Sequence, residues 1–140
     1  VGTAAIEQLI QLANGAPLAA VALAQAPWYS KRALWLTTWQ ALRSGKRSSV
    51  VASDYWQTQL SISEFIQLSE LMLVDMRRVC LGLDALQKDI DLSASFSNYK
   101  PAESSFEAFI NSLQQTKIAL QQNVQEKFAY DKLMQELAYL

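Results

Sequence analysis

The sequence predicts an all-α fold: a helical bundle of about five to six helices, preceded by a short helical hairpin. Three observations carry that prediction. Apolar residues recur at helical spacing through most of the chain, most cleanly at Tyr130, Leu133, Met134, Leu137 and Leu140. The four glycines and three prolines fall mostly between the periodic segments. The one β-branched cluster, Ser48-Ser49-Val50-Val51, has no segment nearby with which to pair. With 140 residues, 51% of them apolar and 18% charged, the chain suits one domain with a sizeable core and not a disordered segment.

The first helix spans Thr3 to Ala13, with Ile6, Leu9, Ile10, Leu12 and Ala13 as its apolar stripe. Asn14-Gly15 stops it, because glycine takes the left-handed conformation that closes a helix. Pro17 starts the next helix, where its missing N–H costs nothing. The corner Leu12–Ala20 therefore joins two helices directly, and the Ala and Leu around it let the backbones approach closely. The second helix of this hairpin, Leu18 to Gln25, is almost wholly apolar and ends at Ala26-Pro27.

A third helix runs from about Trp28 to Leu42 and sets Trp28, Arg32, Trp35 and Trp39 on one face; Ser44-Gly45-Lys46 closes it. A fourth covers about Ser48 to Leu60, with Val50, Val51, Tyr55 and Trp56 as its apolar members. Ser61 or Ser63 caps the longest helix, from Ile62 to about Leu83, and Ser61 has Glu64 three residues on, a capping-box pattern. Its segment Leu71–Val74 is apolar all round, so it is expected to be the central, buried strut. Asp84 to Pro101 is rich in Asp, Ser and Asn and reads as loose, with one helical turn at Ala85–Lys88. Pro101 and Ser104-Ser105 start a helix with a stripe of Phe106, Phe109, Ile110, Leu113 and Leu120. Asn123-Val124 break the chain before the last helix.

The net charge is −1, but its distribution is uneven. No acid occurs from Gln8 to Ser53, a stretch that holds Lys31, Arg32, Arg43, Lys46 and Arg47; from Asp54 onward acids outnumber bases. Such asymmetry suits head-to-tail packing or weak steering of a polyanion, and otherwise a solvated helix face. The lone cysteine, Cys80, excludes an internal disulfide, fits cytoplasmic residence and reads as a small core residue. The longest apolar run, Ala16 to Ala24, is about half of the ~20 residues a membrane span needs.

The chain has no histidine, which removes the commonest general base, the Ser-His-Asp and Cys-His arrangements and, with one cysteine, a zinc site. Asp84, Asp89 and Asp91 lie in a polar stretch where acids are ordinarily solvated, so they are not read as catalytic or metal-binding. Ser44-Gly45-Lys46-Arg47-Ser48 lacks the earlier glycine, the hydroxyl after the lysine and the leading strand of a phosphate loop. Tryptophans interleaved with Lys31 and Arg32 are core or interface residues more often than a stacking platform for single-stranded nucleic acid. The residues alone therefore point to an interaction module with no catalytic machinery.

The run Leu12-Ala13-Asn14-Gly15-Ala16-Pro17-Leu18-Ala19-Ala20 resembles the Leu-Ala-x-Gly-Ser-Pro-Leu-Ala-Ala run of the delta-prime subunit family of bacterial DNA polymerase III. The order that follows is similar as well: a Trp-containing helix, a long helix with Leu71-Met72-Leu73-Val74-Asp75-Met76-Arg77-Arg78, and a final helix after Asn123-Val124-Gln125-Glu126-Lys127-Phe128. The resemblance implies a non-catalytic piece of the clamp loader, the pentamer that opens the sliding clamp and places it on primed DNA. Residues 1–26 would end an AAA+ lid domain, and residues 27–140 would form the C-terminal collar domain. The chain begins at Val1 and is expected to be a fragment of a longer protein. In ATP-hydrolysing relatives the corner carries a sensor arginine; aligned on Gly15, that position is Leu18, which cannot contact phosphate. Asn14, Gly15 and Pro17 would be the lid–collar hinge.

The same resemblance implies gamma/tau and delta subunits as partners, and the sliding clamp and primed DNA through the whole complex. That parent complex is a DNA-directed DNA polymerase holoenzyme with an ATPase loader. For this fragment no cofactor, metal, small-molecule ligand or membrane is expected. Trp35, Trp39, Tyr130, Leu133 and Leu137 are the candidate subunit-interface residues, with intramolecular core as the alternative for each. The alternative function is a helical adaptor or DNA-contacting module using the basic segment, and a third is a small helical enzyme.

Overall fold

A computed structural model describes residues 3–13, 22–96 and 99–140, and among these residues there are helices and no strands. Helix α1 spans Thr3–Leu12. Residues 22–25 are helical, and Ala26 breaks the chain. A 3-10 turn, Tyr29–Lys31, leads into α2 (Arg32–Arg43). Then come α3 (Ser49–Gln57), α4 (Ile62–Cys80), the one-turn α5 (Leu92–Ser95), α6 (Glu103–Gln121) and α7 (Glu126–Leu137). No helix among the described residues is long and apolar enough to cross a membrane.

Local chemistry sets the helix ends. Ser48 caps α3, its side chain accepting from the Val51 N–H. At α4, Ser61 accepts from the Glu64 N–H while the Glu64 carboxylate accepts from the Ser61 N–H, which completes the expected capping box. Helix α4 stops three residues earlier than expected. Gly82 adopts φ +82°, its N–H donating to Val79 and that of Leu83 to Arg78, a Schellman closure that satisfies the last carbonyls. Asn123 (φ 64°) closes α6 in the same way, its N–H donating to Leu120 and that of Val124 to Ala119.

Helix α4 is the central strut, touching α2, α5, α6 and α7, and α7 also packs on α3 and α6. Its inward side is Phe65, Leu68, Met72, Leu73 and Met76, all essentially buried. The tryptophans supply much of the packing, and the facing helices accept three of their N–H groups. Trp28 donates to Gln67, Trp35 to Ser69 and Trp56 to Thr38, at 2.9–3.0 Å. Trp56, Phe65 and Tyr130 form a chain of tilted rings with centroids 5.1 and 5.3 Å apart. The Tyr130 hydroxyl donates to the Leu60 carbonyl at 2.6 Å with Ser61 O at 3.1 Å, tying α7 to the entry of α4. Burial pushes its phenol pKa up, and Glu126 and Glu64 add to the effect.

Three expectations fail on burial. In α1 the apolar stripe is only partly covered: Ile6 and Ile10 are exposed, Leu9, Leu12 and Ala13 are half-buried, and the buried residue is Gln8. In α3, Val50, Val51 and Tyr55 face solvent while Ala52, Ser53 and Trp56 face the core, because α7 covers that side only. In α4, Val74 lies on the outer side, so the helix is not apolar-covered all round. The expected turn at Ala85–Lys88 is not helical either, because side chains from distant helices take its backbone N–H groups.

Candidate functional site

A polar clasp joins α1, the start of α2, the end of α4 and the 84–91 segment. Its anchor is Asp75, buried on α4, whose carboxylate accepts from the N–H groups of Leu86 (2.6 Å) and Gln87 (2.9 Å). This fixes the segment beneath Arg32, which is itself buried. The Arg32 guanidinium donates to the Tyr29 carbonyl, to Gln87 Oε1 and in bidentate fashion to Asp89, at 2.6–3.0 Å. It also lies over the Tyr29 ring, 3.8 Å from the centroid. Gln8 reaches in from α1: its amide N–H donates to Asp89 Oδ1 (2.7 Å) and Tyr29 Oη (3.2 Å), and its carbonyl accepts from Lys88 N (2.6 Å). The Arg32 hydrogen bond holds the Asp89 carboxyl below the usual carboxylate range; partial burial opposes this, and the Gln8 bond assists it.

The clasp is structural chemistry. The carboxylates of Asp75, Asp89 and Asp91 each accept protein hydrogen bonds. Asp91 caps α5 through Ala94 N, and the Asp84 carbonyl accepts from Arg78. Gln8, Asp75 and Gln87 carry no signal in the sequence, since each is a lone polar residue whose partners lie far along the chain.

On the outside, α4 and α6 flank a groove of about 320 Å³. Val74 (57% exposed) and Leu81 (67% exposed) stand on its α4 side, with Ile110 and Leu113 opposite. Its ends carry charge: Arg77 pairs with Glu103, and Lys117 with Glu70. Leu83, just past the helix, is also exposed. Cys80 is half-buried nearby, and burial raises its thiol pKa against the lowering effect of Lys100.

The predicted site residues do not share a surface. Trp35, Trp39, Tyr130, Leu133 and Leu137 are each at most 1% exposed, so they form the chain's own core, the alternative stated for them. Their apolar spacing is real, but the partner is another helix of the same chain. Trp28 and Trp56 are buried too, so no tryptophan offers a face for base stacking. Asn14, Gly15, Pro17 and Leu18, and with them most of the Leu12–Ala20 corner, lie outside the described residues. Gly45 serves as the left-handed stop of α2 (φ 76°) and Ser48 as the α3 cap, so Ser44–Ser48 is a helix-to-helix turn. Compared with known proteins, the chain matches no family model, no curated protein and no solved structure.

Proposed function

We propose that this chain is a non-catalytic association domain of the clamp-loader collar type, with residues 27–140 as the collar and residues 1–26 as the end of an AAA+ lid. The observation that carries association is the outer face of α4. Val74 and Leu81 stay exposed beside the α4–α6 groove, although the bundle already has a complete core of its own. Exposed apolar side chains beside a groove are what a partner helix would cover. Exposed Ile6 and Ile10 on α1 are a second uncovered face, which suits a helix that packs against further lid residues. The clamp-loader identity itself rests on the resemblance of the Leu12–Ala20 corner and on leucine at position 18.

In this reading the chain works mechanically. The bundle holds subunit order, the occupant of the α4–α6 groove is the helical domain of a neighbouring loader subunit, and the ATP chemistry belongs to other subunits. The test mixes the full-length protein with the gamma/tau and delta subunits and sizes the product by gel filtration with light scattering. A five-subunit assembly is expected, weakened by Val74→Asp with Leu81→Asp while the far-UV spectrum stays unchanged. If the wild-type protein elutes apart from the others, the clamp-loader reading is overturned; if the double variant assembles as tightly, the groove is not the contact.

A further inference from the structure

We propose that α1 is a reversible strap, latched to the bundle through the Gln8 side chain and able to leave it while the other helices stay folded. The device stands whether or not the clamp-loader reading does, and it rests on three observations.

The first is what α1 lacks. Helices α2, α3, α4, α6 and α7 each bury apolar residues in the shared core, whereas no described side chain of α1 belongs to that core or packs against it. Ile6 and Ile10 already face water, so departure adds little apolar surface to solvent. The second is what holds α1. Gln8 is 7% exposed, and among the described residues it makes every hydrogen bond from α1 to the rest of the bundle. Its carbonyl accepts from Lys88 N at 2.6 Å, and its amide donates to Asp89 Oδ1 at 2.7 Å and to Tyr29 Oη at 3.2 Å. Only a carboxamide side chain offers an acceptor and two donors at one tip, so the seat is matched to glutamine. The third is that the seat is built without α1. Asp75 accepts from the N–H groups of Leu86 and Gln87, and Arg32 holds Asp89 through two hydrogen bonds. Gln8 therefore docks onto a frame that the bundle fixes by itself.

In the docked state Gln8 covers the Lys88 N–H and ties the 84–91 segment to α1. In the released state that N–H and the half-exposed Asp89 carboxylate return to water. Helix α1, at ten residues, is shorter than the about 12–15 that a helix needs to persist unsupported, so it frays on release. Whatever draws α1 away frees the 84–91 segment at Lys88, and whatever occupies the seat releases α1.

The test is amide hydrogen exchange, read residue by residue by NMR at neutral pH on the 140-residue chain. In the wild type, the α1 amides and Lys88 N–H should exchange through one local opening, faster than the α4 core amides, which open with the whole bundle. Gln8→Ala loses two neutral hydrogen bonds and one to a carboxylate. It should speed both sets by about 100-fold, although alanine is the better helix former. Leu86, Gln87 and α4 should keep their wild-type protection. Gln8→Glu keeps the volume and the acceptor but sets a second carboxylate against Asp89, so it should release α1 too, which a helix held by packing would not do. Gln11→Ala, on the exposed side of the same helix, should leave every rate unchanged. The proposal is overturned if α1 and α4 amides exchange at one common rate in the wild type, or if neither Gln8 variant speeds α1. It is also overturned if Gln8→Ala unfolds the chain or lowers the protection of α4 as much as that of α1.

Discussion

Removing Asp89 should destabilise the protein more than removing its partner Arg32, although Asp89 is the more exposed of the two. The Arg32 side chain is 8% exposed and that of Asp89 is 51% exposed. In Asp89→Ala the guanidinium stays buried without its counter-charge. Breaking a buried pair from one side costs about 3–5 kcal/mol. The low end, about 3 kcal/mol, applies here, because the Tyr29 carbonyl, Gln87 Oε1 and the Tyr29 ring still face the guanidinium. In Arg32→Met the buried charge disappears with its side chain, the apolar stem is largely replaced, and the half-exposed Asp89 carboxylate returns to water. What is lost is the pairing of the Tyr29 carbonyl and Gln87 Oε1, about 1–2 kcal/mol together. At about 3–4 °C per kcal/mol for a domain of this size, Asp89→Ala lowers Tm by about 10 °C and Arg32→Met by about 5 °C. Thermal and urea unfolding at neutral pH read both. The reasoning is refuted if Arg32→Met is the more damaging change by both methods.

The same carboxylate sets an acid limit. Its folded pKa lies below its unfolded value, so its stabilisation is fully present above the ordinary carboxylate range and is lost as pH falls through the lowered value. A urea series from neutral to strongly acidic pH should show a decline below about pH 4 that is shallower in Asp89→Ala. Tyr130→Phe leaves the buried Leu60 carbonyl without its donor and should cost about 1–2 kcal/mol, with an unchanged urea m-value. Ser61→Ala removes half of the capping box and should cost about 1 kcal/mol, while Glu64→Gln, which keeps an acceptor, costs less. At Gly82→Ala a Cβ meets nothing within 4 Å, so the penalty is the left-handed backbone alone, about 1 kcal/mol, and a clash-sized loss would count against it.

The candidate surfaces were less legible than the fold. Tryptophans at helical spacing and the Tyr130–Leu137 stripe identify apolar faces, but an intramolecular partner and an intermolecular one leave the same pattern. The clasp gave no warning at all, because Gln8, Asp75 and Asp89 become a unit only when residues up to 81 positions apart meet. Arg43 and Lys46 were visible as charge, yet their concave setting beside Tyr99 depends on a segment more than 50 residues away.

The sequence by itself determined the long helices and several of their ends. Periodicity, the Ser61–Glu64 box, Ser48 and the break at Asn123 are local signals, satisfied within a few residues of backbone. It did not determine which apolar positions would be covered. Val50 and Val51 are as apolar as Leu133 and Leu137, yet the first pair faces water and the second is sealed. Only the tertiary structure decided that, because burial depends on where a second helix crosses. Helix α7 lies along one side of α3 and leaves the other bare. Likewise the 84–91 segment takes its shape from Asp75 and Gln8, whose side chains satisfy backbone N–H groups that a local helix would otherwise have claimed.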